Sequence, residues 1–164
     1  MQHNPDFSLD GAKDFDFLIG HWRVSHRRLK RRLVGDQEWE TFGGASSTRK
    51  ILGGLGNLED NWIDLPGGAY RAVALRSFDA QNGRWAIWWL DARAPHQLDV
   101  PVIGGFKAGV GAFFAEDVLD GRAIKVRFLW TRTDRASPQW EQAFSSDSGA
   151  SWETNWVMRF DRAA

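Results

Sequence analysis

Four histidines and a handful of strand-borne carboxylates are the only side chains in this sequence with types and spacing suited to chemistry. The histidines are His3, His21, His26 and His96, and there is no cysteine. No two histidines share a metal-ligand spacing, and without thiolates a zinc site lacks its donors, so no metal is expected. His26 is the one histidine inside a predicted strand, on the same face as Trp22, Val24 and Arg28. If that face points inward, His26 can act as an acid–base group or as a haem ligand. Glu141 and Glu153 alternate with aromatic residues near the C-terminus. A carboxylate or imidazole held in a cavity with a shifted pKa is what an isomerisation, a lactone hydrolysis or a decarboxylation needs. Glu153, Glu141 and His26 are therefore the candidate catalytic residues. No Gly-x-Ser-x-Gly elbow, zinc signature or dinucleotide fingerprint accompanies them.

The composition points more strongly to holding a molecule than to transforming one. Ten tryptophans and eleven phenylalanines stand beside a single tyrosine, Tyr70. Aromatic side chains supply large apolar surfaces from few positions, and pockets pair such walls with a few polar anchors. Trp88, Trp130, Gln142, Asn155, His26 and Arg28 are the candidate ligand-binding residues. Arg28 belongs to a basic run with Arg23, Arg27, Lys30, Arg31 and Arg32. Strand alternation puts Arg28, Lys30 and Arg32 on one face and Arg23, Arg27 and Arg31 on the other, which dilutes any phosphate-binding stripe. Glu38 and Glu40 on the next strand neutralise part of it, so the run reads mainly as a solvated face. Arg28 is the member best placed to turn inward as a carboxylate anchor.

Lysine plus arginine equals aspartate plus glutamate at 21 each. No net field draws nucleic acid or an anionic membrane, and neither is an expected partner. The acidic residues Asp6, Asp10, Asp14 and Asp16 argue against a signal peptide, and no apolar run is long enough to span a bilayer. A cytoplasmic setting is expected. The expected partner is a small hydrophobic or aromatic molecule, with the chain as its carrier or sensor; the alternative is a small acid–base enzyme. Ten tryptophans also exceed the needs of one small cavity, which makes a homodimer interface a further expectation.

These residues must be positioned by strands. A helical turn is predicted near 14–19, ended by Gly20. Runs rich in β-branched and aromatic residues then recur between turn signals, near 22–33, 38–51, 58–64, 69–78, 84–92, 98–106, 112–118, 123–133, 139–145 and 151–162. Gly35-Asp36 suits a two-residue hairpin that would set Arg31 opposite Glu40 and Leu29 opposite Phe42. Asn82-Gly83 and Asp120-Gly121 mark two more hairpins. Gly53-Gly54-Leu55-Gly56-Asn57 and Gly104-Gly105 lack the ending and the helix of a phosphate loop and read as bends or bulges. Successive hairpins make an antiparallel meander, and closure removes its edges. The expected fold is all-β: one barrel of about eight to ten strands over residues 1–164, with 1–13 as a flexible N-terminal segment.

Gly20-His21-Trp22, just after the helical turn, resembles the Gly-x-Trp signature of lipocalin-like (calycin) barrels. Phe15-Asp16-Phe17-Leu18-Ile19-Gly20-His21-Trp22, Trp140-Glu141-Gln142-Ala143-Phe144-Ser145 and Trp152-Glu153-Thr154-Asn155-Trp156 extend the likeness to an uncharacterised bacterial family of lipocalin-like domains. The resemblance implies the barrel and no activity. It also implies that Trp22 plugs the closed end beneath a stacked basic side chain from the last strand, either Arg159 or Arg162, with Arg159 preferred. Some lipocalin-like barrels bind haem through a late histidine, which this chain lacks, so no cofactor is expected and haem is a minor alternative. Ser145-Ser146-Asp147-Ser148-Gly149-Ala150-Ser151-Trp152 matches the Asp-box pattern found in sialidase-like propellers. A propeller needs repeats, so this single copy predicts a tight hairpin in which Asp147, Gly149 and Trp152 are structural.

Overall fold

Ten strands pair with their sequence neighbours until the last meets the first. The computed structural model describes residues 9–163. The strands are β1 (Gly20–Leu29), β2 (Trp39–Ile51), β3 (Gly56–Ile63), β4 (Tyr70–Asp79), β5 (Arg84–Asp91), β6 (Val102–Lys107), β7 (Val110–Leu119), β8 (Arg122–Thr131), β9 (Gln139–Ser145) and β10 (Glu153–Arg162). Every pairing is antiparallel, and β1 closes the barrel against β10. The expected all-β meander barrel with a short N-terminal helical turn is thus the observed fold. Among the described residues no helix is long and apolar enough to cross a membrane.

Two short 3-10 turns, Asp10–Lys13 and Asp16–Leu18, precede β1 and cap one end. Within this segment Gly11 O accepts a hydrogen bond from Trp85 Nε1 at 3.0 Å. Residues 1–8, including His3, lie outside the described residues. Phe15 and Leu18, 1% and 0% exposed, fill the barrel's end from this segment. Phe15 meets Trp85 and Phe106 edge to face, each at 4.9 Å between centroids. Edge-to-face packing of this kind adds to the burial of the rings themselves.

The Gly-x-Trp triplet does what was expected of it, with a different arginine. Trp22 Nε1 donates to Leu18 O at 2.8 Å, and the guanidinium of Arg162 lies 4.1 Å from the Trp22 ring centroid. Arg162 also donates to Ile19 O at 2.7 Å and Phe17 O at 3.3 Å, tying the plug to the last strand. Gly20, at φ 124°, leaves the space that Arg162 uses: a Cβ there would lie 2.5 Å from Arg162 Nη1. Arg159, the preferred partner from sequence, points outward. The cause is a bulge between Thr154 and Trp156, which buries both Asn155 and Trp156 and shifts the phase of the strand by one residue. The inward face therefore continues through Met158, Phe160 and Arg162.

The hairpin after β1 also differs from expectation. Gly35 has a positive φ of 70°, but β1 ends at Leu29, and Leu29 faces Trp39 across a loop spanning 30–38. Arg28 faces Glu40, where Arg31 was expected, and His26 faces Phe42. The two-residue turn would have shifted β2 by three positions, an odd offset that swaps its faces and sends Arg49 into the barrel. The observed register leaves Arg49 exposed and turns Phe42, Ser46 and Thr48 inward. Asp36 stabilises the longer loop by accepting from Arg31 N and Glu38 N, each at 3.0 Å.

The Asp120-Gly121 turn is as read, with φ of 50° and 79° joining Leu119 to Arg122. The predicted Asp-box hairpin links β9 to β10. Asp147 accepts from Ser145 Oγ at 2.7 Å, Ser151 N at 2.9 Å and Ser151 Oγ at 2.5 Å, and Gly149 has φ 92°. Those donors favour the ionised carboxylate and hold its pKa down at about 2. Trp152 packs near Gly149, with the Arg127 guanidinium 4.6 Å above its ring.

Candidate functional site

Each strand carries its inward residues from the plugged end to the open end. On β1 they run Trp22, Val24, His26, Arg28; on β5, Trp85, Ile87, Trp89, Asp91; on β10, in reverse, Trp156, Met158, Phe160. The plugged end is packed solid by rings. At the other end the barrel opens into a cavity of about 310 Å³, near the lower limit for small-molecule sites.

Aromatic rings form the apolar wall: Trp89, Phe128, Trp140, Phe144 and Trp156. Trp156 stands edge-on to Trp140 at 5.5 Å and to Trp89 at 5.9 Å, while Phe128 meets Trp140 at 5.0 Å. Polar groups line the rim. Arg28 comes from β1, Arg32 from the loop 30–38, Tyr70 from β4 and Asp91 from the end of β5. Arg93, Gln97 and Asp99 come from the segment after β5. The sequence reading placed a strand from 98, but β6 begins at Val102; residues before it lie along the mouth, held by Asp99 N donating to Trp89 O at 3.0 Å.

The rim charges divide into a satisfied pair and an unsatisfied one. Arg93 grips Asp91 through Nη2–Oδ2 at 2.7 Å and Nε–Oδ1 at 3.1 Å, and stacks on Tyr70 at 3.6 Å. The hydrogen bonds from Arg93 hold the Asp91 carboxyl below its usual range. Arg28 lies 4.7 Å from the Trp156 ring centroid, and its Nε, like that of Arg32, is buried without a hydrogen-bond partner among the described residues. Desolvation lowers the pKa of both, and Arg28 beside Arg32 helps bring Arg32 to about 10. Both stay charged at neutral pH. Burial, followed by the nearby carboxylates Asp117 and Asp91, raises the Asp99 carboxyl.

Two expected ligand contacts line this cavity, Arg28 and Gln142. Asn155 sits directly behind, fully buried in the bulge, and accepts from Gln142 Nε2 at 2.8 Å. His26 faces inward as read, but behind Trp156: its Nδ1 accepts from Trp156 Nε1 at 3.1 Å and its ring stacks on Phe42 at 4.8 Å. Desolvation, reinforced by Arg28, lowers its pKa to about 4, so the imidazole is neutral, with its proton on Nε2. With Nδ1 engaged and no place in the cavity lining, His26 does not fit a haem-ligand role. Trp130 is buried at the barrel floor, and Trp88 faces outward opposite its neighbour Trp89. Glu141 points out of the barrel, on the opposite face from Trp140 and Gln142. Glu153 accepts from Leu33 N at 2.8 Å and braces the loop 30–38. Neither glutamate lines the cavity.

Below the cavity, Trp89, Phe128 and Trp140 also wall a void of about 20 Å³ floored by Glu59 and Arg76. Arg76 donates to Glu59 Oε2 and Asn57 Oδ1, both at 2.8 Å, and the ion pair is 3% exposed on each side. Such a pair holds only because its hydrogen bonds offset much of the desolvation. Alternation alone cannot reveal it, because β3 turns Asn57, Glu59 and Asn61 inward and leaves Trp62 41% exposed. The basic run is likewise partitioned. Arg27 stacks on Trp39 at 4.0 Å, Lys30 pairs with Glu38 at 2.8 Å, and Arg31 lies 3.6 Å from Asp36. No protein-family model matches the chain, and no curated protein matches it either.

Proposed function

We propose that this lipocalin-like barrel is a carrier or sensor that holds one small hydrophobic or aromatic molecule in its open end. The observation that carries the reading is the cavity itself: about 310 Å³, with five aromatic walls and a polar rim, above a floor already filled. A mostly apolar pocket with a few convergent polar groups is the usual form of a small-molecule site. Binding is favoured over acid–base turnover because Glu153, Glu141 and His26 all lie outside the cavity lining. A cytoplasmic setting suits a chain without cysteine.

Titration with the neutral aromatic 2-naphthamide tests this reading through tryptophan fluorescence. Saturable quenching at one ligand per chain is expected, weakened about tenfold or more in Trp140→Ala, since a lost aromatic wall forfeits more than 1.4 kcal/mol. Quenching that never saturates, or that Trp140→Ala leaves unchanged, would remove the cavity as the binding site.

A further inference from the structure

We propose that Arg28 and Arg32 form an anion site at the cavity mouth and take a carboxylate on the exposed end of the bound molecule. The proposal rests on the binding reading above and names the ligand class: a small aromatic or apolar monocarboxylic acid.

Two guanidinium groups from separate elements, β1 and the loop 30–38, meet on one rim. Each is half-buried and has an Nε without a hydrogen-bond partner among the described residues. Of the nearby acids, Glu40 lies opposite Arg28 on β2 and Asp99 stands on the rim, while four others are already engaged. Asp91 is held by Arg93, Glu153 by the Leu33 amide, Glu38 by Lys30, and Asp36 by the Arg31 and Glu38 amides. The cavity lining contains Arg28, Arg32 and Arg93 against Asp91 and Asp99, three positive charges less two negative, a formal +1. Two adjacent, partly desolvated cations repel each other, and a neutral ligand would leave that repulsion in place. A carboxylate offers acceptor sites to both guanidinium forks. The Asp91 and Asp99 carboxylates on the same wall disfavour a dianionic phosphate.

The ring that supports Arg28 also forms part of the apolar wall. Trp156 lies under the Arg28 guanidinium and faces Trp89 and Trp140. An acid whose carboxylate meets Arg28 and Arg32 therefore places its apolar body against the ring wall, within a volume suited to a small ring system.

Isothermal titration calorimetry with 2-naphthoate and its neutral isostere 2-naphthamide, at low ionic strength and neutral pH, tests the proposal. The proteins are the wild type, Arg32→Gln and Arg28→Gln. Arg32 lies outside the strands, so its variant retains the barrel, which near-ultraviolet circular dichroism verifies. Naphthoate should bind the wild type about tenfold or more tightly than naphthamide, as a charge-assisted hydrogen bond requires. Arg32→Gln should erase most of that preference, weakening naphthoate far more than naphthamide. Equal affinities in the wild type, or a preference that survives both substitutions, would overturn the anion site and leave the aromatic cavity standing. Failure of both compounds to bind at millimolar concentration would overturn both readings.

Discussion

The two ends of this barrel are built from the same kinds of residue to opposite purposes. At the closed end, Phe15, Trp85, Phe113 and Trp130 interlock, and all are 2% exposed or less. At the open end, Trp89, Phe128, Phe144, Tyr70 and Arg32 surround space. The difference lies in what covers the rings. The N-terminal segment inserts Phe15 and Leu18 into one mouth, and Arg162 fastens it by hydrogen bonds and a stacked guanidinium. The other mouth is rimmed by the loop 30–38 and the segment after β5, which contribute arginines and acids and leave it open. Aromatic richness therefore supplies stability at one end and a candidate binding surface at the other.

The sharpest test of that division is truncation at each end. Phe15→Ala should cost about 3–5 kcal/mol in urea unfolding, the usual cost of removing a fully buried ring. Phe144→Ala at the mouth should cost only about 1 kcal/mol, since its ring already borders open space, while weakening 2-naphthamide binding. Equal losses of stability would erase the distinction.

His26 lies between the two regions, and its effect appears in pH dependence. Its folded pKa of about 4 lies below the ordinary 6.5, so the unfolded chain binds the extra proton over that interval. Stability should be full above pH 6.5, fall as pH drops toward 4, and become flat with respect to this group below that. The total loss should be about 3 kcal/mol. Denaturant midpoints measured across the window should slope in the wild type and flatten in His26→Phe. The same slope in both proteins would place its origin elsewhere.

A smaller effect separates the two C-terminal arginines. Arg162→Ala should destabilise by about 1–2 kcal/mol, since it removes a cation–π contact and the hydrogen bonds to Ile19 and Phe17. Arg159→Ala should stay within about 0.5 kcal/mol, as expected of an exposed substitution. Thermal melts of the two variants give the comparison, and a reversed order would contradict the plug geometry.

The barrel was legible because its signals are local. Turn residues such as Asp120-Gly121, the Asp-box around Asp147, and strand alternation each act over a few residues, and together they predict a meander. The inward placement of Trp22, His26 and Arg28 on one face follows from the same two-residue period. Gln142 and Arg28 were accordingly found at the cavity, with Asn155 and His26 immediately behind it.

What tertiary structure decided are the features that one residue of phase can reverse. The bulge at Asn155 moved the stacking role from Arg159 to Arg162, and Trp89 rather than its neighbour Trp88 turned inward. The loop 30–38 changed the β1–β2 register because keeping Arg49 in solvent and closing the barrel outweighed a local turn preference. Arg32, Asp91, Arg93 and Asp99 reach the rim only because segments far apart in sequence converge there. Short-range patterns determine that a closed container forms; long-range closure and a single inserted residue determine which side chains face its contents.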